Sequence, residues 1–120
     1  MADHNELGEL GEQLAVDFLI KKGHKLLDRN FKFKKLEIDI VTEFENKIII
    51  TEVKTRQSDY LTDPRDLVSK AKQNGIVKTA NYYIQENEID LEVQFDLIVI
   101  VLNQKQKEIK HIEEAFYPTL

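Results

Sequence analysis

Apolar residues recur at helical spacing in the first segment of the chain. Leu7, Leu10, Leu14 and Phe18 follow one another every three or four residues, which is typical of one face of a helix. Gly23, directly after two lysines, is typical of a helix end, where a cation also lies favourably beside the negative end of the helix dipole. This pattern predicts a helix over residues 6–22.

Small residues form a second strip on this predicted helix. Gly8, Gly11 and Ala15 lie beside the leucine face on a helical wheel, and Glu12 lies at the edge of the strip. Residues without a bulky side chain allow a helix backbone to approach a sheet closely. Taken alone, Glu12 at this edge is more simply explained as an ordinary boundary glutamate than as a site residue.

The next segments have the pattern of strands. Residues 25–33 allow a strand, residues 36–41 alternate with a period of two, and residues 48–53 are almost continuously apolar and β-branched, which is typical of a strand covered on both faces. Strict alternation places Leu36, Ile38 and Ile40 on one face of the second strand and Asp39 on the other. A turn at Asn46 predicts a hairpin between the second and third strands.

A second helix and a further buried strand follow. Pro64, with Asp63 as its cap, predicts a helix over residues 64–86, in which Gly75 marks either a close contact with the sheet or a break. Residues 91–102 predict a buried strand, and residues 108–112 a short edge strand. This order of elements favours an α/β fold, in which helices cover the two faces of one mixed sheet.

Composition limits the class of protein. The chain has 120 residues, of which 42% are hydrophobic, and this predicts a single domain over residues 1–120. It contains neither a signal-peptide pattern nor an apolar run long enough for a membrane helix, so we expect a cytoplasmic protein without a membrane partner. Cysteine is absent and the three histidines have no metal-ligand spacing, so any metal is expected to be a hard cation bound through oxygen.

Charge is distributed unevenly. The net charge of −5 argues against nonspecific coating of nucleic acid, because Lys and Arg contacts to phosphate supply most of that affinity. Residues 21–35, however, contain seven Lys or Arg residues against Asp28 alone, a net charge of +6. This segment is either a basic patch for phosphate contacts or a set of solvated ends and loops.

The strongest candidate for chemistry is an acid pair at the ends of two predicted strands. An acid two residues before a lysine occurs three times, but only Glu52, with Lys54, follows a strongly apolar run. A carboxylate there costs several kcal/mol unless it is paired or metal-bound. Antiparallel pairing brings Asp39 and Glu52 to the same face, roughly 5 Å apart. Either the two acids bind a divalent cation, or Lys54 neutralises one of them in a structural salt bridge.

Short motifs that together are specific are spread over nearly the whole chain. They are Gly8, Gly11-Glu12 and Ala15; Arg29-Asn30; Glu37-Ile38-Asp39; Glu52-Val53-Lys54-Thr55-Arg56; Pro64; Lys72; Phe95-Asp96; His111-Ile112; and Ala115-Phe116. This set of motifs resembles the YraN family of bacterial proteins. The resemblance implies a single-domain restriction-endonuclease-like fold, a central mixed β-sheet flanked by helices in the order α-β-β-β-α-β-β, related to archaeal Holliday-junction resolvases. One departure is Lys35-Leu36, where the family commonly has a glycine before Glu37.

The resemblance also implies roles for individual residues. Asp39 and Glu52 correspond to the metal-binding acids of a nuclease signature, with the Val53 carbonyl as a further ligand of Mg²⁺ or Mn²⁺. Lys54 corresponds to the lysine that acts on water or phosphate, and Glu12 is an added acid from the first helix. The resemblance and the chemistry thus make Glu12, Asp39, Glu52 and Lys54 the candidate catalytic residues. The candidates for nucleic-acid contacts are Lys32, Lys34, Lys35 and Arg56, for each of which a solvated surface is the alternative.

These features predict a metal-dependent nuclease that acts on DNA, on branched or single-stranded forms in particular. No helix-turn-helix, zinc finger or stacking motif is present for base recognition. One alternative is a non-catalytic nucleic-acid-binding or assembly module that retained the fold, since one fold hosts many functions. A structural protein without a nucleic-acid role is a third interpretation, which the negative net charge favours. A homodimer is one assembly that the sequence allows.

Overall fold

A computed structural model describes residues 4–58 and 63–118 of the chain. It contains two helices, five strands and one short 3₁₀ helix. Their order confirms the predicted order α-β-β-β-α-β-β. The elements are α1 (His4–Lys22), β1 (Lys25–Phe33), β2 (Leu36–Phe44), β3 (Lys47–Arg56), the 3₁₀ helix (Pro64–Leu67), α2 (Lys70–Glu86), β4 (Glu92–Leu102) and β5 (Lys107–Phe116).

The five strands form one mixed sheet in the order β1-β2-β3-β4-β5. All neighbours are antiparallel except β3 and β4, which are parallel. Parallel neighbours need a crossover connection, and α2 supplies it. The predicted hairpin between β2 and β3 is confirmed: Glu45 and Asn46 both have positive φ, 51° and 64°, as a tight two-residue hairpin turn requires.

The two helices cover opposite faces of the sheet, as predicted. On one face α1 packs its buried residues Ala15, Val16 and Leu19 against Ile98 and Ile100 of β4. On the other face α2 packs Ile76, Ala80 and Tyr83 against a larger apolar cluster that includes Ile50, Leu97 and Val99. The central strands β3 and β4 are therefore buried on both sides, which explains why their sequences are almost continuously apolar.

The second helix is shorter than predicted. The predicted span 64–86 is divided into the 3₁₀ helix and α2, and Ser69 lies at the break. The Ser69 hydroxyl accepts a hydrogen bond from the Lys72 N–H at 3.1 Å, so Ser69 caps α2. The prediction of one continuous helix from Pro64 was wrong because the apolar spacing continues through a serine whose side chain competes for backbone hydrogen bonds.

Two glycines show where the helices approach the sheet closely. A Cβ atom at Gly11 would overlap the Thr55 hydroxyl of β3, and one at Gly75 would lie 3.1 Å from Cδ2 of Leu36. Gly75 therefore marks a close helix-to-sheet contact, the first of its two predicted alternatives. Gly8, in contrast, has open space around it, so the predicted small-residue strip is correct only for Gly11 and Ala15.

Neither helix of the described residues is both long and apolar enough to cross a membrane.

Candidate metal and nucleic-acid site

The candidate site lies where the pairing between β2 and β3 ends. The last matched pair of these two strands is Ile40 with Thr51, whereas β3 continues to pair with β4 as far as Arg56. Beyond the last pair, Oδ2 of Asp39 accepts a hydrogen bond from the Val53 N–H at 2.8 Å. A side chain thus takes the place of a backbone partner, and one edge of β3 after Thr51 is left open.

The side chains of β2 also depart from regular alternation between the two faces of the sheet at this point. Ile38 packs on the α2 face, whereas Ile40 packs on the α1 face. The prediction from strict alternation, which placed both isoleucines on one face, was therefore wrong. On the neighbouring strand β1, Asn30 lies opposite Asp39 and has a positive φ of 51°. The backbone of β1 is therefore irregular at this position as well. Asp39 lies between the two isoleucines, at the point where the strand departs from regular geometry.

The two predicted acids meet at this opening, and we call Asp39 and Glu52 the acid pair. Burial, followed by the hydrogen bond and the repulsion from the Glu52 carboxyl, raises the pKa of Asp39 to about 8, although the Val53 N–H acts in the opposite sense. The side chain of Glu52 is only 4% exposed. Its Oε1 atom is buried and has no hydrogen-bond partner among the described residues, which is costly for a carboxylate.

Two lysines approach the other oxygen of Glu52. The Nζ atom of Lys54 lies 3.8 Å from Oε2 of Glu52, and the Nζ atom of Lys72 lies 3.6 Å from the same oxygen. The ion pair foreseen in the salt-bridge interpretation is thus present, but it leaves Oε1 of Glu52 without a partner in the described part of the chain, and the contact with Asp39 is accommodated only by the proton that Asp39 retains up to about pH 8. A structural salt bridge alone does not account for this arrangement.

Lys72 is the residue of this cluster to which the sequence assigned no role. Its position among the motifs of the family resemblance was one signal. A second signal was the first turn of the following helix, which contains lysines and no acid, although the positive end of the helix dipole disfavours cations.

The acid pair fits a hard divalent cation. A cation would stabilise two features of this site: the contact between the two carboxyl groups, and a buried oxygen for which the described residues supply no donor. No three His, Asp or Glu side chains in the described part of the chain are arranged to hold a metal. Mg²⁺ is commonly bound by one or two carboxylates and retains several waters, so two acids are a sufficient protein contribution.

Glu12 lies on the wall of the same opening. An open groove of about 480 Å³ is lined by Glu12 of α1, Asp39 and the end of β3 from Val53 to Arg56. Both Glu12 oxygens have partners: Arg29 donates to Oε1 from Nη2 at 3.2 Å, and the Asn30 amide donates to Oε2 at 3.0 Å. Glu12 therefore joins α1 to β1, and any contact with a ligand uses its remaining lone pairs.

The predicted basic residues fall into two groups. Arg56 lines the groove, where its Nη1 donates to the Thr55 carbonyl at 3.1 Å. Lys32, Lys34 and Lys35 lie at the exposed end of the β1–β2 hairpin. Lys35 is four residues before Asp39, or roughly 13 Å along an extended strand, so the hairpin end adjoins the acid pair without contacting it.

A second polar cluster lies on the α1 face and serves the fold. Oδ2 of Asp96, which is 1% exposed, lies 2.7 Å from Nε2 of His111, and its Oδ1 accepts the Glu114 N–H at 3.1 Å. The register between β4 and β5 shifts at this position. Asp96 and His111 thus hold the edge strand β5 across an irregular section of the ladder.

Comparison with known proteins identifies relatives along almost the full length of the chain. A model of the uncharacterised protein family UPF0102 matches residues 11–100. The chain is 47% identical to a UPF0102 protein of Flavobacterium psychrophilum over 117 residues, 98% of each chain. It is 42% identical to one of Christiangramia forsetii over 117 residues, again 98% of each chain. It is also 44% identical to one of Thermodesulfovibrio yellowstonii over 112 residues, 93% of this chain and 96% of the relative.

Proposed function

The chain belongs to the uncharacterised protein family UPF0102, the YraN family that its motifs resemble, and we propose from this membership and from the acid pair that it is a metal-dependent nuclease acting on DNA. The observation that carries the proposal is the buried Oε1 of Glu52, which has no hydrogen-bond partner within residues 4–58 and 63–118 and belongs to a carboxyl in contact with Asp39. A divalent cation removes both the repulsion between the acids and the unmet need of this oxygen.

In the proposed site Asp39 and Glu52 hold Mg²⁺ or Mn²⁺, with the Val53 carbonyl as the third protein ligand. Such an ion lowers the pKa of water and neutralises charge on a phosphate. Lys54, whose side chain is 24% exposed, donates to the attacking water or to a phosphate oxygen. Glu12, across the groove, orients a water through the lone pairs that Arg29 and Asn30 leave free.

The shape and charge of the surface favour recognition of nucleic-acid structure over sequence. The groove beside the acid pair contains Arg56, and the hairpin end contributes Lys32, Lys34 and Lys35. Such cations contact phosphates, which position a nucleic acid without reading its bases. Against a net charge of −5, a local patch selects substrates whose phosphates converge on it, as in branched or single-stranded DNA.

We expect a nuclease panel to give cleavage that requires both a divalent metal and Glu52. The panel consists of linear duplex, single-stranded, flapped and four-way DNA with Mg²⁺, Mn²⁺ or EDTA. Glu52→Gln removes a ligand charge while keeping the shape of the side chain, so cleavage should fall by ~100-fold or more. The matched control is Glu45→Gln, because Glu45 also precedes a lysine by two residues but lies exposed in the β2–β3 turn.

The same panel separates the alternative functions. Binding of branched DNA without cleavage under any metal condition would replace the nuclease by the non-catalytic nucleic-acid-binding module. Equal cleavage by Glu52→Gln and wild type would remove the acid pair from the chemistry. Neither binding nor cleavage of any substrate would favour a structural protein without a nucleic-acid role.

Lys34→Ala combined with Lys35→Ala should weaken DNA binding by roughly tenfold and flatten its salt dependence. Each phosphate contact contributes about 0.7–0.9 to the slope of log affinity against log salt, so losing two contacts lowers the slope by up to about 2. The measurement is a salt series of binding isotherms with fluorescent DNA. Lys105→Ala combined with Lys107→Ala is the control, because these exposed lysines lie at the β4–β5 turn. An unchanged slope in the hairpin variant would make Lys34 and Lys35 plain surface.

A further inference from the structure

Lys72 reaches the acid pair from the helix on the opposite face of the sheet to α1. Its Nζ atom lies 3.6 Å from Oε2 of Glu52, and its side chain is 47% exposed whereas that of Glu52 is 4% exposed. Lys54, on the same strand as Glu52, contacts the same oxygen but is only 24% exposed. The side chain of Lys72 is therefore the more exposed of the two lysine side chains at the acid pair.

The local structure of α2 gives no reason for a lysine at this position. Lys72 lies in the first turn, where Ser69 caps the helix and no acidic residue is present. Cations there are disfavoured by the positive end of the helix dipole, whereas a glutamate three residues after a serine cap would complete a capping box. An acidic residue would stabilise this helix end, whereas the chain has a lysine there. The reason for a lysine at position 72 therefore lies outside the helix.

Stabilisation of the fold by the ion pair is a weak explanation. Charge-assisted hydrogen bonds are typically about 2.7–2.9 Å long, so the separation of 3.6 Å is an ion pair without a hydrogen bond. Half-exposed ion pairs of this kind contribute little to the stability of a fold, and the unfavourable helix dipole opposes that small gain. The charge of Glu52 is also offset by Lys54, which is two residues away on the same strand. What remains is a half-exposed lysine whose ammonium group lies next to the acid pair.

We propose that Lys72 is a phosphate-binding residue of this site, which holds a phosphate oxygen of the DNA strand at the acid pair. This inference rests on the proposed function. A cation held by Asp39 and Glu52 repels the lysines and weakens their attraction to Glu52, and an incoming phosphate then becomes the stronger partner for Lys72. Lys72 binds from the α2 side, while Lys54, more enclosed, acts on the reacting water or phosphate. The substrate is thereby held between two elements, β3 and α2.

The test measures binding separately from cleavage. Fluorescent single-stranded and four-way DNA are titrated with wild type, Lys72→Ala, Lys72→Arg and Lys70→Ala over a KCl series, with Ca²⁺ as the oxygen-bound divalent cation. Lys70 is exposed in the same helical turn, so Lys70→Ala controls for the loss of a nearby charge. We expect Lys72→Ala to weaken binding about tenfold and to lower the salt slope by about 0.7–0.9. Lys72→Arg should restore both. Cleavage with Mg²⁺ should show a raised KM and a smaller change in kcat.

A purely structural role for Lys72 would give a different set of results. Lys72→Ala would then lower the melting temperature strongly, because a buried Glu52 would lose a necessary partner, while the salt slope would match that of Lys70→Ala. That result, with wild type binding DNA normally, would overturn the role of Lys72 and leave the proposed function intact. Failure of wild type to bind any of the DNA substrates would overturn both.

Discussion

Lys54→Ala is expected to lower the rate of DNA cleavage by ~10²–10³-fold while metal affinity stays close to that of the wild type. Removing one side chain that donates a hydrogen bond to the negative charge of a transition state lowers the reaction rate by a factor of this size. Lysine has three donors and no acceptor, so it does not ligate a cation. The Lys54 ammonium lies 3.8 Å from Oε2 of Glu52 and lines the groove beside Asp39, where a phosphate would approach. Single-turnover rates over an Mg²⁺ titration measure rate and metal affinity in one experiment.

The control for this variant is Lys47→Ala at the opposite end of β3. Lys47 is partly buried like Lys54 but pairs with Phe44 at the β2–β3 turn, remote from the acid pair along the strand. It should retain full activity. Wild-type rates in Lys54→Ala would exclude Lys54 from the mechanism, and a large rise in the Mg²⁺ requirement would show that it acts on the metal site instead.

Asp39→Asn is expected to raise the melting temperature of the metal-free protein by several degrees and to abolish its stabilisation by metal. Both lysines at the site pair with Glu52 rather than with Asp39, so the substitution leaves no buried ammonium without its partner. Asparagine retains an oxygen that can accept the Val53 N–H, and its amide can donate to Glu52. Removing the repulsion should gain at least about 1 kcal/mol. Wild type should gain stability with millimolar Mg²⁺ or Mn²⁺, because the ion binds only the folded state.

The raised pKa of Asp39 predicts how this difference depends on pH. The unfolded chain loses the proton near the ordinary value of 3.8, whereas the folded protein keeps it up to about 8. Folding therefore takes up a proton between these values, so the contribution of Asp39 is most favourable below about pH 4, falls as the pH rises and is lowest above about pH 8. Asp39→Asn removes this dependence, and its advantage over wild type should grow from pH 5 to pH 8.

Thermal melts of both proteins at several pH values, with EDTA and with metal, make the comparison. Asp90→Asn is the control, because Asp90 is an exposed acid in the loop before β4 and its substitution should leave the metal response intact. A fall in metal-free stability of roughly 3 kcal/mol or more for Asp39→Asn would be typical of a broken buried ion pair. Together with no response of wild type to metal, that result would disprove a metal site at the acid pair.

The sequence by itself determined the elements and their arrangement. The helical spacing in residues 6–22 predicted a helix, and the apolar runs of β3 and β4 predicted strands buried on both faces. The buried residues of α1, however, are Ala15, Val16 and Leu19, whereas Leu10 of the predicted apolar face is 48% exposed. Helices on both faces of a mixed sheet follow from that order of elements. The candidate acids were recognisable as well, because Glu52 ends an apolar run in which an unpaired carboxylate is costly.

Only the tertiary structure decided the details around the site, because those details depend on contacts between distant segments. The side chain of Asp39 replaces a backbone partner of Val53, and Ile38 and Ile40 on either side of it pack on opposite faces of the sheet. No periodicity of β2 alone reveals either feature. The partners of Glu12 on β1 likewise depend on packing. Lys72 is 20 residues from Glu52 in sequence, and its nearness to that acid arises only because α2 crosses over the sheet between β3 and β4. The spacing of hydrophobic residues predicts which residues are buried. Which side chains a buried residue contacts depends on how the whole chain packs.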